Sequence, residues 1–166
     1  PFFIIYETER NGYTPELIEQ GREINEYIPT HVGDLILHGL NDCGKVLQES
    51  SVLILGLSYK PGVADIRTSV VDDTIEKLKE YGVTVFGSDP YADETEATEE
   101  FGIEIQSHPS FDGIDAALLA TPHQPYREID YVQRSKNMTP PPLIVDVDGS
   151  LDHTKIEQAD IEYRRL

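Results

Sequence analysis

Apolar positions change their spacing near residue 45. Before it they recur at helical intervals: Leu17, Ile18, Gly21, Ile24 and Ile28, then Val32, Leu35, Ile36, Leu40 and Cys43. Thr14 and Pro15 read as an N-cap and first helical residue, and Gly44 as the residue that closes the helix. Pro29 lacks an amide hydrogen and crowds the preceding turn, so residues 14–43 are expected to form one helix bent there, or a helix pair. After residue 45, short apolar runs at 52–55, 83–86, 103–105, 116–120, 143–147 and 161–163 alternate with helical patterns at 71–81, 93–101 and 125–134.

Runs that are apolar at every position, such as Val52-Leu53-Ile54-Leu55 and Ala117-Leu118-Leu119, belong to strands covered on both faces. Alternating β and α units of this kind predict an α/β fold, a doubly wound Rossmann-like parallel sheet preceded by a helical segment. The boundary is expected near residue 45, giving units 1–45 and 46–166. Ligands of such sheets bind beyond the carboxyl ends of the strands, where strand order reverses. That points to the loop after the first strand.

The loop runs from Gly56 to Ser69 and holds two cations, Lys60 and Arg67. It is not a dinucleotide fingerprint, because Ser58 stands where the second glycine of G-x-G-x-x-G would be. Lysine is a compact point charge suited to phosphate or carboxylate, and the arginine fork holds phosphate through two bonds. Thr68 and Ser69 offer hydroxyls and a cap for the following helix. The alternative is purely structural: Lys60 and Arg67 pair with Asp65 or Asp72, and Gly56 and Gly62 only shape the turn.

Composition narrows the partners. The chain carries 31 acidic and 13 basic residues, a net charge of -18, and such a field repels nucleic acid. The acids are dispersed and lysine is scarce, as suits a protein kept hydrated in concentrated salt, where the Debye length falls to about 3 Å. No apolar run approaches a bilayer span, and no basic-then-apolar leader opens the chain, so no membrane partner and a cytoplasmic location are expected. A single cysteine excludes an internal disulfide, and the five histidines show no metal-ligand spacing. Cys43 is expected to be a buried core residue and His123 a polar loop residue.

The run from Val52 through Ser69 combines a strand, a Gly-Leu-x-aromatic-Lys motif and an Asp-x-Arg-x-Ser tail, and Ser88-Asp89-Pro90-Tyr91 follows the second strand. It resembles the segment that opens the UDP-binding domain of the UDP-glucose/GDP-mannose dehydrogenase family. Pro1 to Ile5 resemble the stretch after that family's catalytic cysteine, and Gly21 to Asn25 its central dimerisation helix. The resemblance implies an NAD-dependent enzyme that oxidises a nucleotide-sugar to its uronic acid for polysaccharide synthesis. It implies that Tyr59 and Lys60 contact the nucleotide-sugar, that Arg67 reaches the phosphates of an NAD held mainly by another domain, and that residues 1–45 end a homodimerising region. Pro1-Phe2-Phe3 and Arg22-x-x-Asn25 lean toward the N-acetylhexosamine members.

Two features depart from that family. Its cysteine would precede Pro1, so the chain is expected to be an inactive piece of a longer enzyme. Asp148 stands near where relatives place a substrate arginine, with the wrong charge for phosphate. Asp89 occupies the position of a ribose-binding acid but is expected to cap the turn at Pro90. The rival reading is a free-standing, non-catalytic module that binds a nucleotide or a protein.

Overall fold

The structure, a computed structural model, describes residues 2–67, 69 and 71–166. It opens with a helix not expected from the sequence, α1 (Phe2–Arg10), followed by the 27-residue α2 (Glu16–Asp42). Pro15, not Thr14, occupies the cap position of α2, and no side chain caps it; Glu16 donates its amide to the Thr14 carbonyl at 3.0 Å. Nor is the helix broken at Pro29. That proline costs α2 one hydrogen bond, to the carbonyl of exposed Asn25, where water can replace it. Its own carbonyl is buried and accepts from Thr74 Oγ1 at 3.0 Å, pinning the helix to its neighbour. The far end closes as read: Gly44, at φ +69, donates to Asn41, and Lys45 to Leu40, the paired bonds of a Schellman cap.

Six strands follow: β1 (Ser51–Leu55), β2 (Thr84–Ser88), β3 (Glu104–Ile105), β4 (Ala116–Leu119), β5 (Leu143–Asp146) and β6 (Glu162–Arg165). They form one sheet in the order β3-β2-β1-β4-β5-β6, every pair parallel. Alternate residues divide the core between two faces. Val52, Ile54, Leu118, Leu143 and Val145 point to the face covered by α2, α3 (Val71–Glu80) and α4 (Glu94–Phe101). Leu53, Leu55, Leu119 and Ile144 point to the other, beneath α5 (Gln124–Arg127), α6 (Tyr131–Arg134) and α7 (His153–Glu157). Gly39 lets α2 settle on the sheet, since a Cβ there would approach the Leu143 side chain to 2.6 Å.

The one helix expected at 125–134 is two, because Asp130 accepts from the Gln133 amide and caps a new start. The first half of α2 leaves the domain behind. Leu17 is 88% exposed and Ile24 65%, whereas Val32, Ile36 and Leu40 are buried. The helical stripe therefore divides in two, and only its second half packs within the chain. Among the described residues, no helix is long and apolar enough to cross a membrane, and no cluster of His, Cys, Asp and Glu is placed to hold a metal.

Candidate functional site

Strand order reverses between β1 and β4, so the loops leaving those strands face each other. They touch at Gly56, where φ is +90 and a Cβ would come within 2.3 Å of the Thr121 carbonyl oxygen. Only glycine satisfies both conditions. Thr121 Oγ1 in turn donates to the Ser58 carbonyl at 2.6 Å.

Beneath this contact lies a buried polar cluster. Asp89, just past β2, accepts through Oδ2 from the amides of Leu57 (2.8 Å) and Ser58 (3.0 Å), from Ser58 Oγ (2.9 Å) and from His123 Nε2 (3.0 Å). Its Oδ1 accepts from the amides of Tyr91 (2.9 Å) and Ala92 (3.1 Å), the turn cap expected at Pro90. Burial alone would push the Asp89 carboxyl up. The hydrogen bonds, with His123 foremost, outweigh that and hold it well below the usual carboxylate range. His123 is fully buried, which corrects its reading as a polar loop residue. Its Nδ1 accepts from the Gly62 amide at 3.1 Å, so the ring proton sits on Nε2, facing Asp89 and Ser58 Oγ (2.9 Å). The rings of Tyr91 and Tyr126 lie against it, with centroids 5.0 and 5.9 Å away.

Above the cluster, Tyr59 and Lys60 stand side by side in solvent, the Lys60 ammonium 5.0 Å from the centre of the Tyr59 ring. Among the described residues Lys60 forms no ion pair. Arg67 pairs with Asp65 instead, through Nε to Oδ1 at 3.1 Å and Nη2 to Oδ2 at 3.2 Å. That contact, the leading cause, lowers the Asp65 pKa and raises that of Arg67. The structure thus brings Tyr59 and Lys60 together and turns Arg67 toward its own loop. Thr68 lies outside the described residues. Ser69 Oγ accepts from the Val71 amide at 3.3 Å, at the start of α3. A narrow cleft of about 90 Å³ opens beside Tyr59, walled by Ile28, Pro29, Val32, Ser69 and Thr121.

The loop is not a dinucleotide cradle. Its amides at Leu57 and Ser58, which would face a pyrophosphate, are already taken by a carboxylate. The space a second glycine would open is closed by the buried Ser58 side chain. Asp148 is exposed and pairs with Arg127 Nη2 at 3.2 Å, so a cation does stand beside that acid. A hollow of about 400 Å³ nearby shares no residue with the loop, and its cations Arg127 and Lys155 are paired with Asp148 and Asp152. Cys43 is only half-buried, against the expectation of a core residue; burial first, then Glu162, push its thiol up. Sequence reasoning also missed Asp146, fully buried at the end of β5. It accepts from the Gly149 and Leu151 amides and from Tyr163 OH, and fixes the turn that carries Asp148.

Comparison with known proteins agrees with this architecture. Residues 53–153 match the UDP binding domain of the UDP-glucose/GDP-mannose dehydrogenase family. The chain is 30% identical to Protein CapL of Staphylococcus aureus over 158 residues, 94% of this chain and 37% of that protein. It is also 30% identical to the UDP-N-acetyl-D-glucosamine 6-dehydrogenase of Salmonella typhi over 129 residues, 78% of this chain and 30% of that one. The structure of a UDP-D-ManNAc dehydrogenase from Pyrococcus horikoshii superposes with a TM-score of 0.73 at 24% identity, covering 90% of this chain and 33% of the other. The chain thus spans about a third of the length of the curated relatives it matches.

Proposed function

Because this chain belongs to the UDP-glucose/GDP-mannose dehydrogenase family and carries its UDP-binding domain, we propose that it is the C-terminal nucleotide-sugar-binding portion of an NAD-dependent nucleotide-sugar 6-dehydrogenase. The full enzyme would oxidise a UDP-sugar to its uronic acid in the cytoplasm, for polysaccharide synthesis, and would act as a homodimer. The observation that carries this reading is the exposed pair of Tyr59 and Lys60, held over a rigid polar base at the switch point of the sheet. An exposed ammonium beside an aromatic face suits a diphosphate and the flat base or sugar attached to it.

In this reading NAD is held chiefly by a domain outside this chain, since the loop's own amides are occupied. Arg67 meets its phosphates from the edge after exchanging Asp65 for the cofactor. The chain alone does not catalyse, because the second oxidation needs a positioned thiolate. Cys43 does not supply one: its thiol is pushed toward the neutral form, and it lies on the α2 C-cap, away from the loop.

Calorimetric titration of UDP-sugars and GDP-sugars in molar KCl tests the proposal. A charge-assisted hydrogen bond is worth about 1.5–3 kcal/mol, so Lys60→Ala should weaken UDP-sugar binding roughly ten- to a hundredfold, a range that molar salt compresses by screening the exposed ammonium. Lys136, whose ammonium donates to Gln133 Oε1 at 2.9 Å on the surface, is the control, and Lys136→Ala should bind as wild type. Equal affinities for wild type and Lys60→Ala, or an equal loss in both variants, would sink the assignment.

A further inference from the structure

His123 spans the binding loop in a way that its place in the sequence does not suggest. Through Nε2 it meets Ser58 and Asp89 at the root of the loop, and through Nδ1 it receives the Gly62 amide two residues beyond Lys60. Tyr59 and Lys60 lie between these anchors, and both are exposed. Among the described residues, the backbone from 59 to 62 bonds within its own loop through the Tyr59 amide, which donates to the Asp65 carbonyl at 3.2 Å, and beyond the loop only through the Gly62 amide to His123.

We propose that His123, in its neutral Nε2-protonated form, is the positioning residue that latches residues 58–62 in the shape presenting Tyr59 and Lys60 to the nucleotide-sugar. The inference rests on the reading of that loop as the nucleotide site. An imidazole suits the task because it offers one donor and one acceptor on opposite sides of a rigid ring, and the two sides face different demands here. Asp89 requires a donor, while the Gly62 amide requires an acceptor. Protonation of Nδ1 replaces the acceptor with a second donor pointed at the Gly62 hydrogen, and the distal anchor is lost. The contact to Asp89 survives and strengthens, so the fold is kept while the loop is released. The titratable groups against the ring are Asp89 and Tyr91 from the turn after β2 and Tyr126 from α5; the Ser58 hydroxyl of the loop also meets it but carries no charge.

Two variants separate the anchors. His123→Asn places an amide oxygen near the Nδ1 position and keeps an acceptor for Gly62. His123→Gln reaches the Nε2 position and keeps a donor for Asp89. With UDP-glucose as probe, whose diphosphate diester does not titrate near neutral pH, His123→Asn should bind within about threefold of wild type and His123→Gln at least tenfold more weakly. A loss of affinity in acid that wild type shows and His123→Asn does not would support the latch. Equal affinities for the two variants, with an unchanged pH profile, would overturn the latch. If neither variant folds, the imidazole ¹⁵N shifts of wild type decide: a proton on Nδ1 at neutral pH overturns the proposal, and a bare Nδ1 whose protonation tracks the loss of affinity supports it. Failure of wild type to bind UDP-glucose at any pH would refute the nucleotide reading instead. The latch would then be judged by exchange of the Gly62 amide, which should be slow in wild type and His123→Asn and fast in His123→Gln.

Discussion

At the scale of single residues, Asp89 is the hub on which the site stands, because six donors converge on one buried carboxylate. Its folded pKa lies below the ordinary 3.8, so the stabilisation it provides is fully present above about pH 4 and is lost as pH falls through the lower folded value. Asp89→Asn presents an amide group to donors that need an acceptor, and should cost about 3 kcal/mol or more in urea denaturation at pH 7. The gap between wild type and variant should narrow below pH 4, where the unfolded wild-type chain takes up a proton at this carboxyl while the folded one still holds the charge; a gap constant from pH 7 to pH 2 would mean that the carboxylate charge is not what is being held. None of this cluster was plain in the sequence. Asp89 was read correctly as a turn cap, but its second oxygen serves partners more than thirty residues away, and chain order does not reveal that pairing. His123 carried one faint signal, its place a few residues after the wholly apolar β4, where the chain has not yet left the core. Arg67 is legible in the sequence as a cation of the loop after β1. Its pairing with Asp65 was one of two readings that sequence alone left open.

At the scale of elements, the period of apolar residues located every strand to within a few positions, because parallel strands buried on both faces leave an unbroken apolar run. What it missed were local decisions. Pro29 stays inside α2 because packing against α3 outweighs one lost hydrogen bond, and the five-residue α7 has too few turns to show a period. Within the α2 stripe, Val32 and Ile36 cover the chain's own sheet. What remains exposed is the first half, with Leu17, Ile24 and Tyr27, together with Phe3, Ile4 and Tyr6 of α1. So many large apolar side chains on one end of a molecule mark a contact surface. We expect sedimentation in high salt to give a dimer, and Leu17→Asp with Ile24→Asp to convert it to a folded monomer with unchanged circular dichroism. A wild type that stays monomeric at high protein concentration would show that these residues are simply solvated.

At the scale of the whole molecule, charge decides behaviour. The formal net charge is -18, and several of the 13 cations are committed to particular partners, as in Lys45 with Asp115, Lys77 with Asp34 and Arg164 with Asp42. A chain of this length folds to a radius of gyration of about 15 Å. In 0.01 M salt the Debye length is about 30 Å, so every acid repels every other across the domain, whereas at 1 M it is about 3 Å and only near neighbours interact. The melting temperature should therefore rise with KCl, most steeply at low concentration where screening changes fastest. Preferential exclusion of salt from the surface would also raise it, and a charge variant separates the two causes. Glu99 and Glu100 are exposed in the last turns of α4, where a cation also suits the helix dipole. Changing both to Lys adds two charges at each position and moves the net charge from -18 to -14. This double variant should melt above wild type in dilute buffer, and the difference should shrink toward zero in molar KCl. If the difference persisted unchanged in molar salt, the gain would be local to the helix. If wild type melted at the same temperature from 0.05 to about 2 M KCl, self-repulsion would not be what limits this fold, and its acidity would concern solubility alone.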